Sequence, residues 1–170
     1  MTPRLRRLEN DFAEMVERFA QDPYVDVIPV GPAPAQQYQI VYKVPSLRRL
    51  LNNELREVPQ TVVNLFLPAG YPREKPYAET VEEVFHPNFG RYICIADFWS
   101  PAQSLSDIVV LIGEMLQWKK FNIRSPLNAI AAEWSVEHPQ EIPLSNIEIG
   151  VKQTNVEVQL VGEISNFTEQ

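Results

Sequence analysis

The spacing of the apolar residues changes twice along this chain, and the order of those changes constrains the fold more than any other feature. Near the N-terminus apolar side chains recur every three or four residues from Leu5 to Phe19, which predicts an amphipathic helix over about residues 3–20. Thr2 is its expected N-cap and Pro3 its first helical residue. The middle of the chain then alternates as strands do, and helical spacing returns in the last third. This order indicates an α+β fold built on an antiparallel meander.

The middle of the chain predicts a β-meander of about four strands. Strand-like runs at 25–28, 38–44 and 62–67 are separated by turn residues. Between the second and third runs, the leucines of segment 47–59 have helical spacing, so we expect a short helix or a structured loop there. Segment 68–76 contains three prolines and cannot continue a strand ladder, which predicts an extended surface loop.

The last third of the chain predicts two helices and a strand-like tail. Apolar spacing indicates one helix over about residues 105–118 and a second over about 126–138. Alternation resumes around residues 156–160, where we expect a strand or hairpin. We therefore predict one main domain over residues 1–140 and a strand-containing extension over 141–170, packed on that domain or extending it.

Charge and composition exclude several classes of protein. The net charge of −7 argues against a general nucleic-acid binder, although three arginines crowd the N-terminus. One cysteine excludes an intramolecular disulfide framework and a cysteine-rich zinc site, and two histidines offer no obvious metal-ligand set, so we expect no metal and no cofactor. The chain has neither a long apolar run nor a signal-peptide core. We expect a cytoplasmic protein that does not associate with membranes.

The single cysteine, Cys94, is the strongest candidate for chemistry. It lies between His86-Pro87-Asn88 and Trp99-Ser100-Pro101, after an apolar run and before a turn-rich loop. A thiol can form a labile thioester, and an amide side chain in the same loop is a candidate oxyanion donor. The alternative is a structural cysteine, because free cysteines are usually buried. The context favours acyl transfer through Cys94.

Several short motifs follow one another in a fixed order around Cys94. They are Tyr71-Pro72 with Pro76, His86-Pro87-Asn88, Gly90, Ile93-Cys94-Ile95, Trp99-Ser100-Pro101-Ala102 and Ser125-Pro126-Leu127-Asn128 with Ala131-Ala132. Together they resemble the ubiquitin-conjugating enzyme family, from the first helix to about residue 138. The resemblance implies the family's UBC-like fold, in which an N-terminal helix and an antiparallel meander precede an active-site loop and two helices; here a strand-like tail follows.

The resemblance also implies roles for the residues near the thiol. Cys94 corresponds to the cysteine that accepts a ubiquitin-like modifier from an activating enzyme as a thioester and passes it to a lysine or other amine of a target protein. Asn88 corresponds to an asparagine that stabilises the oxyanion or orders the neighbouring loop. His86, with Pro87 and Trp99, corresponds to structural residues of the active-site loop.

Two partner surfaces are implied in the same way. The basic face of the first helix corresponds to the surface that meets the activating enzyme, and we expect it to be formed by Arg4, Arg6 and Arg7. A ligase, where one is used, would contact two loops represented here by Tyr71, Pro72, Ser100, Pro101 and Ala102. The alternative for the arginines is an ordinary solvated face, because most exposed charges do nothing specific.

The sequence also departs from the common pattern of the family. Arg73 stands where relatives that use RING-type ligases often carry an apolar side chain. Ser125 stands where many relatives carry an acid that helps deprotonate the attacking lysine, and serine cannot act as a base at neutral pH. Asp97 is a candidate replacement, with a structural loop role as the alternative. The loops flanking Cys94 also look short, as in divergent bacterial conjugating enzymes, some of them linked to antiviral defence against phage.

Two other classes of function remain as alternatives. A non-catalytic module of the same fold would bind a ubiquitin-like protein or scaffold a complex, but such variants typically lose the cysteine that this chain keeps. A cysteine hydrolase would need a general-base histidine beside the thiol, and a redox enzyme commonly uses a second, resolving cysteine. The chain has one cysteine, and the resemblance assigns His86 to the loop.

Overall fold

This computed structural model describes residues 1–151, apart from the Asp97 side chain. In this part of the chain three helices and six strands follow one another. Their order confirms the predicted succession of a helix, a strand block and two further helices. The predicted strand around residues 156–160 lies outside the described residues. The elements are α1 (Pro3–Phe19), β1 (Val25–Val30), β2 (Gln37–Tyr42), β3 (Ser46–Arg49), β4 (Leu55–Val58), β5 (Thr61–Phe66), β6 (Tyr77–Thr80), a 3-10 turn (Ala96–Phe98), α2 (Leu105–Leu116) and α3 (Ala129–Glu137).

Helix α1 begins and ends where the sequence predicts. The Thr2 hydroxyl accepts a hydrogen bond from the Leu5 N–H at 3.2 Å, which caps one of the free donors of the first turn. The apolar stripe buries Leu8, Met15 and Phe19 in the main core. The opposite face is charged and largely exposed, as expected for a helix on the surface of a single core.

Strands β1, β2, β5 and β6 form one antiparallel sheet in that spatial order, which confirms the predicted four-stranded meander. In β2 and β5 buried and partly buried residues alternate, because successive side chains point to opposite faces. The buried face packs against α2, which is covered over most of its surface. The Tyr42 hydroxyl joins the two layers by donating to the Val109 carbonyl at 2.7 Å.

Segment 47–59 is the main difference from the predicted fold. It forms a two-stranded hairpin of β3 and β4, so the helical alternative for this segment is wrong. Asn53 takes a positive φ of 64° at the turn, a conformation that asparagine tolerates better than most residues. Leu47 is buried beside Phe85, and the Phe85 N–H donates to the Leu47 carbonyl at 2.7 Å. The pairing of β3 with β4, together with the contacts to Phe85, therefore overrides the helical spacing of the leucines.

Helix α3 starts three residues later than Pro126, the predicted first residue. Asn128 is the actual N-cap, because its side-chain oxygen accepts from the Ala131 N–H at 3.0 Å. The preceding residues are held in another conformation by the Pro87 carbonyl, which accepts from the N–H groups of Leu127 at 2.8 Å and Asn128 at 3.0 Å. The active-site loop therefore sets where this helix begins.

After α3 the chain returns to the C-terminal end of α1 through residues 145–150, which we name the C-terminal strap. Ile149 is buried in the main core. Gly150 is held at both its backbone groups, because its carbonyl accepts from Arg18 Nε at 2.8 Å and its N–H donates to Asp22 at 2.6 Å. The described part of the predicted extension thus packs on the same core, while a boundary at residue 140 stays a prediction. No helix in residues 1–151 has both the length and the apolar character needed to cross a membrane.

Candidate active site around Cys94

Cys94 lies at the edge of the core with its side chain half-buried. The Ile93 N–H donates to the Ala78 carbonyl of β6 at 2.8 Å, so this short extended segment continues the sheet edge. Ile93 and Ile95 are both buried, and alternation along an extended chain directs the intervening thiol away from the core. The Cys94 N–H donates to the Asn88 carbonyl at 2.9 Å, which closes the loop in front of the thiol.

Asn88 connects this loop to a second segment, residues 121–124. Its Nδ2 donates to the Asn122 carbonyl at 2.8 Å, and its Oδ1 accepts from the Asn122 N–H at 2.7 Å. The pair of bonds fixes the orientation of the amide and joins two loops that are 34 residues apart. Because an NH₂ group carries two hydrogens, Asn88 keeps one N–H donor beyond its bond to Asn122.

His86 is fully buried in an aromatic cluster. Its ring centroid lies 4.8 Å from that of Trp118 and 4.9 Å from that of Phe89. Its Nδ1 accepts from the Asn88 N–H at 3.0 Å, so the ring proton sits on Nε2. Burial lowers the pKa of His86 to about 3, an effect that the backbone carbonyl of Lys120 partly opposes. His86 is therefore neutral at physiological pH and braces the loop.

The segment before α3 closes the other side of the loop. A Cβ placed on Gly90 would come within 3.3 Å of the Leu127 Cβ, so the two backbones approach closely. Together with the two bonds to the Pro87 carbonyl, this contact fixes the residues after Ser125 against the active-site loop. Ser125 itself is exposed on this segment. The contribution of Asn122 was not predicted, because a residue that acts through its backbone groups leaves no motif; Leu127 stands in a motif, but its contact with Gly90 was not predicted from it.

The loop after Cys94 holds the remaining predicted site residues. Asp97 lies in the 3-10 turn, but its side chain is outside the described part of the structure, so its proposed role in orienting an amine stays a prediction. The Trp99 ring packs against the Tyr71 ring with centroids 5.6 Å apart. Residues 100–102 are exposed, as a surface for a partner requires.

The Arg7 side chain forms an ion pair and hydrogen bonds with other parts of the fold. Its Nε pairs with the Asp11 carboxylate at 2.7 Å, and its remaining nitrogens donate to the carbonyls of Pro101 at 2.6 Å and Gln103 at 2.5 Å. Asp11 also accepts from the Tyr71 hydroxyl at 2.5 Å. Burial, and then the bond to Asp11, raise the pKa of Tyr71, so its hydroxyl stays a donor. We name Arg7, Asp11 and Tyr71 the Arg7–Asp11 network.

The other predicted partner residues differ in how accessible they are. The Arg4 side chain donates to the Gln36 side chain at 2.8 Å and to the Pro68 carbonyl at 3.1 Å, so it also forms hydrogen bonds within the fold. Arg6 is exposed, and its side chain makes no hydrogen bond or ion pair with any described residue. Tyr71 is only 1% exposed, whereas Pro72 beside it is half-buried. Arg6 and the exposed loop residues are thus the parts of the predicted surfaces that a partner could reach.

Neither of two surface cavities includes Cys94. One, of about 690 Å³, lies at the end of α1, and four of its ten lining residues carry carboxylates, among them Glu14, Glu17 and Asp22. The other, of about 250 Å³, lies between α2 and the loop around Phe98. Within residues 1–151 no group of three or more histidine, cysteine, aspartate or glutamate side chains is placed to hold a metal ion. The described site therefore consists of a thiol and an amide at a loop edge.

Comparisons with known proteins agree on one family. A family model described as ubiquitin-conjugating enzyme matches residues 61–144, which include both Asn88 and Cys94. The chain is 34% identical over 86 residues to ubiquitin-conjugating enzyme E2 N of Drosophila melanogaster, covering 47% of this chain and 56% of that relative. It is 31% identical over 81 residues to the NEDD8-conjugating enzyme UBC12 of Kluyveromyces lactis, covering 45% of this chain and 43% of the relative. The matches thus span about half the length of each curated relative.

The solved structures support the same fold. A protein from Plasmodium yoelii described as a ubiquitin conjugating enzyme matches with a TM-score of 0.59 and 18% identity, over 82% of this chain and 88% of that one. At this identity the likeness concerns the fold alone. The order of helix, antiparallel sheet and two later helices, the matched family model and the two relatives confirm the resemblance found in the motifs: the chain has the UBC-like fold, and its residues 61–144 match the ubiquitin-conjugating enzyme family.

Proposed function

We propose that this protein is a transferase that carries a ubiquitin-like modifier as a thioester on Cys94 and passes it to an amine of a target protein. The observation that carries the proposal is the half-buried thiol at the loop edge, with Asn88 fixed in the same loop. A thiol that is partly accessible can be acylated, whereas a thiol packed in the core cannot. The match of residues 61–144 to the ubiquitin-conjugating enzyme model gives this geometry its chemical context.

The reaction divides into two acyl transfers that use the same sulfur. In loading, the Cys94 sulfur attacks the thioester carbonyl of the modifier on the activating enzyme. A new C–S bond forms, the old C–S bond breaks, and the released thiol takes up a proton. In discharge, a neutral amine attacks the Cys94 thioester: a C–N bond forms, the C–S bond breaks, and the proton lost by the amine balances the one that Cys94 takes up as it regains its thiol. Each step passes through a tetrahedral oxyanion, and the spare N–H of Asn88 is proposed to stabilise the one that forms during discharge.

Amine activation is assigned to Asp97 in this proposal. His86 is neutral and buried, so it is not available as the base, and Ser125 cannot serve at neutral pH. Asp97→Asn should then lower discharge onto free lysine mainly near neutral pH, because a lysine amine of pKa near 10.4 is almost wholly protonated there. Recovery of the variant at higher pH would support this role, and an equal deficit at every pH would leave Asp97 as a structural residue.

The partners follow from the exposed parts of the predicted surfaces. We propose that the face of α1 around Arg6 meets the activating enzyme, and that Pro72 with the exposed loop at residues 100–102 meets a ligase where one is used. From the short loops around Cys94 we further propose a bacterial ubiquitin-like pathway connected with defence against phage. The neighbouring genes test this placement: an activating enzyme and a modifier beside this gene would support it, and their absence would count against it.

Thioester loading is the decisive experiment. The protein is incubated with the activating enzyme, ATP and the modifier, and the products are separated with and without a thiol reductant. Wild-type protein should give an adduct that the reductant removes, Cys94→Ser an adduct that survives it, and Cys94→Ala none. Absence of any adduct on wild-type protein would refute the proposal, and binding of the modifier without loading would favour the non-catalytic alternative.

A further inference from the structure

Two exposed arginines stand in the loops that frame Cys94. Arg91 lies three residues before the thiol, inside a tight turn closed by the bridge between Phe89 and Ile93. The Tyr77 hydroxyl lies 3.4 Å from the Arg91 carbonyl and 3.3 Å from Glu79, so its single hydrogen is shared between these two acceptors and links the turn to β6. The backbone of Arg91 is thus fixed close to Cys94, while its side chain is exposed.

Arg124 reaches the same site from the second loop. Its N–H donates to Asn122 Oδ1 at 2.8 Å, and the Asn122 backbone is bonded at both its polar groups to the Asn88 amide. The Asn88 carbonyl in turn accepts from the Cys94 N–H at 2.9 Å. A short chain of hydrogen bonds therefore holds Arg124 near the thiol, and its side chain is also exposed.

Neither guanidinium group has a partner among the side chains that the structure describes. No described side chain forms an ion pair or a hydrogen bond with either of them. Glu79, on the Arg91 side, accepts instead from the Tyr77 hydroxyl at 3.3 Å, and Glu114 pairs with Lys120 at 3.0 Å. Two positive charges without a described partner therefore flank the thiol, although the net charge of the chain is −7.

We propose that Arg91 and Arg124 select acceptor amines that lie within acidic segments of the target protein. The inference rests on the proposed function, because only a target segment crossing Cys94 during discharge would meet both side chains. An unpaired guanidinium binds carboxylates through two parallel hydrogen bonds, and the two positive charges disfavour a lysine flanked by basic residues. Exposed charge pairs are individually weak, so we expect a rate preference of about three- to tenfold.

Discharge onto peptides tests the preference. Wild-type protein is first loaded at Cys94, the activating enzyme is stopped, and the thioester is mixed with peptides that each contain one lysine flanked by glutamate, glutamine or arginine. Discharge should be fastest onto the glutamate peptide and slowest onto the arginine peptide, and the differences should shrink as salt screens the charges. In the double variant Arg91→Gln, Arg124→Gln the ratio between glutamate and glutamine peptides should fall toward one.

A matched control and the separate loading step make the result decisive. Arg56→Gln removes an equally exposed arginine from the β3–β4 hairpin and should keep the wild-type ratio. Normal loading with equal rates for all three peptides, or an equal loss of preference in Arg56→Gln, would overturn this inference and leave the proposed function intact. Failure to load, in contrast, would refute the proposed function before any peptide is compared.

Discussion

The structure and the proposed function together give Asn88 two separable tasks, one observed and one proposed. Its amide holds the backbone of Asn122 through two hydrogen bonds, and one N–H remains for a developing oxyanion. The hydrogen bonds to Asn122 are present in the protein without a modifier, so they contribute to its stability. The second task acts only while a tetrahedral intermediate is present, so it should affect the rates of acyl transfer.

Replacing Asn88 by alanine should affect both properties. Removing the amide leaves the Asn122 N–H and carbonyl without their partners, and we expect a loss of about 1 to 3 kcal/mol in the free energy of unfolding. Discharge onto amines should slow by about a hundredfold, as in other sites that lose one oxyanion donor, with a smaller effect on loading. Urea unfolding and single-round discharge assays measure the two effects.

Asn88→Asp is the matched control, because its carboxylate can still accept from the Asn122 N–H but cannot donate. Because one of its carboxylate oxygens would face the Asn122 carbonyl in a buried site, the variant should be no more stable than Asn88→Ala, and it should discharge no faster. Rapid discharge by Asn88→Asp, or equal losses of loading and discharge in Asn88→Ala, would show that Asn88 only orders the loop.

The buried histidine predicts a pH dependence of stability. The pKa of His86 is about 3 in the folded protein and near 6.5 in the unfolded chain. Above pH 6.5 the ring is neutral in both states, so it contributes no pH dependence. As the pH falls below 6.5 the unfolded state binds a proton that the folded state cannot, and folding should weaken by about 1.4 kcal/mol per pH unit down to about pH 3.

A comparison with His86→Gln isolates this effect from that of the carboxylates, which both proteins share. Unfolding free energies from urea titrations between pH 7 and pH 4 should fall more steeply for wild-type protein than for the variant. Parallel curves for the two proteins would contradict the assignment of a buried, neutral His86.

At the scale of elements, the sequence predicts best where spacing and packing agree. Helices α1 and α2 bury one continuous apolar surface, and both lie where their periodicity places them. The β3–β4 hairpin and the start of α3 were missed because distant backbone groups determine them: the Phe85 N–H binds β3, and the Pro87 carbonyl holds Leu127 and Asn128. The same limit applies to the site, where Cys94 and Asn88 stand in motifs but Asn122 contributes through its backbone.

The Arg7–Asp11 network joins four elements around one buried carboxylate. The Asp11 carboxylate, on α1, forms an ion pair with Arg7 and accepts a hydrogen bond from the Tyr71 hydroxyl of segment 68–76. At 3.4 Å it also accepts from the Leu105 N–H at the start of α2. Arg7 in addition holds the Pro101 carbonyl of the loop after Cys94. Although Arg6 and Arg7 are adjacent in sequence, we therefore expect opposite consequences when each is replaced.

Arg7→Ala should destabilise the protein, because it leaves the buried Asp11 carboxylate without its ion-pair partner. We expect a loss of about 2 to 4 kcal/mol in the free energy of unfolding. Arg6→Ala should change stability by no more than about 0.5 kcal/mol, as surface replacements do, but should slow loading by the activating enzyme in a salt-sensitive manner. Thermal denaturation and loading rates at two salt concentrations separate the two. Equal stability of both variants would contradict the network, and unchanged loading in Arg6→Ala would return Arg6 to an ordinary solvated residue.

At the scale of the whole molecule, the C-terminal strap packs beside the C-terminal end of α1 and so joins two parts of the fold that are distant in sequence. Arg18 and Gly150 are 132 residues apart in sequence and share a hydrogen bond of 2.8 Å. Gly113 on α2 leaves the space that the strap needs, because a Cβ at this position would collide with the Ile149 Cδ1 atom. The strap is therefore part of the main core, although the polar residues around it give a weak apolar signal in sequence.

This arrangement predicts that one side chain near the C-terminus contributes strongly to global stability. Ile149 is 6% exposed, so Ile149→Ala should cost about 2 to 4 kcal/mol and lower Tm by roughly 5 to 15 °C in a domain of this size. Val151, two residues further on, is 57% exposed, and Val151→Ala should leave Tm within about 2 °C of wild type. Calorimetry of the two variants measures the contrast, and loading at 20 °C should persist in both because neither residue is near Cys94. Equal Tm values for the two variants would show that the strap is not part of the cooperative core.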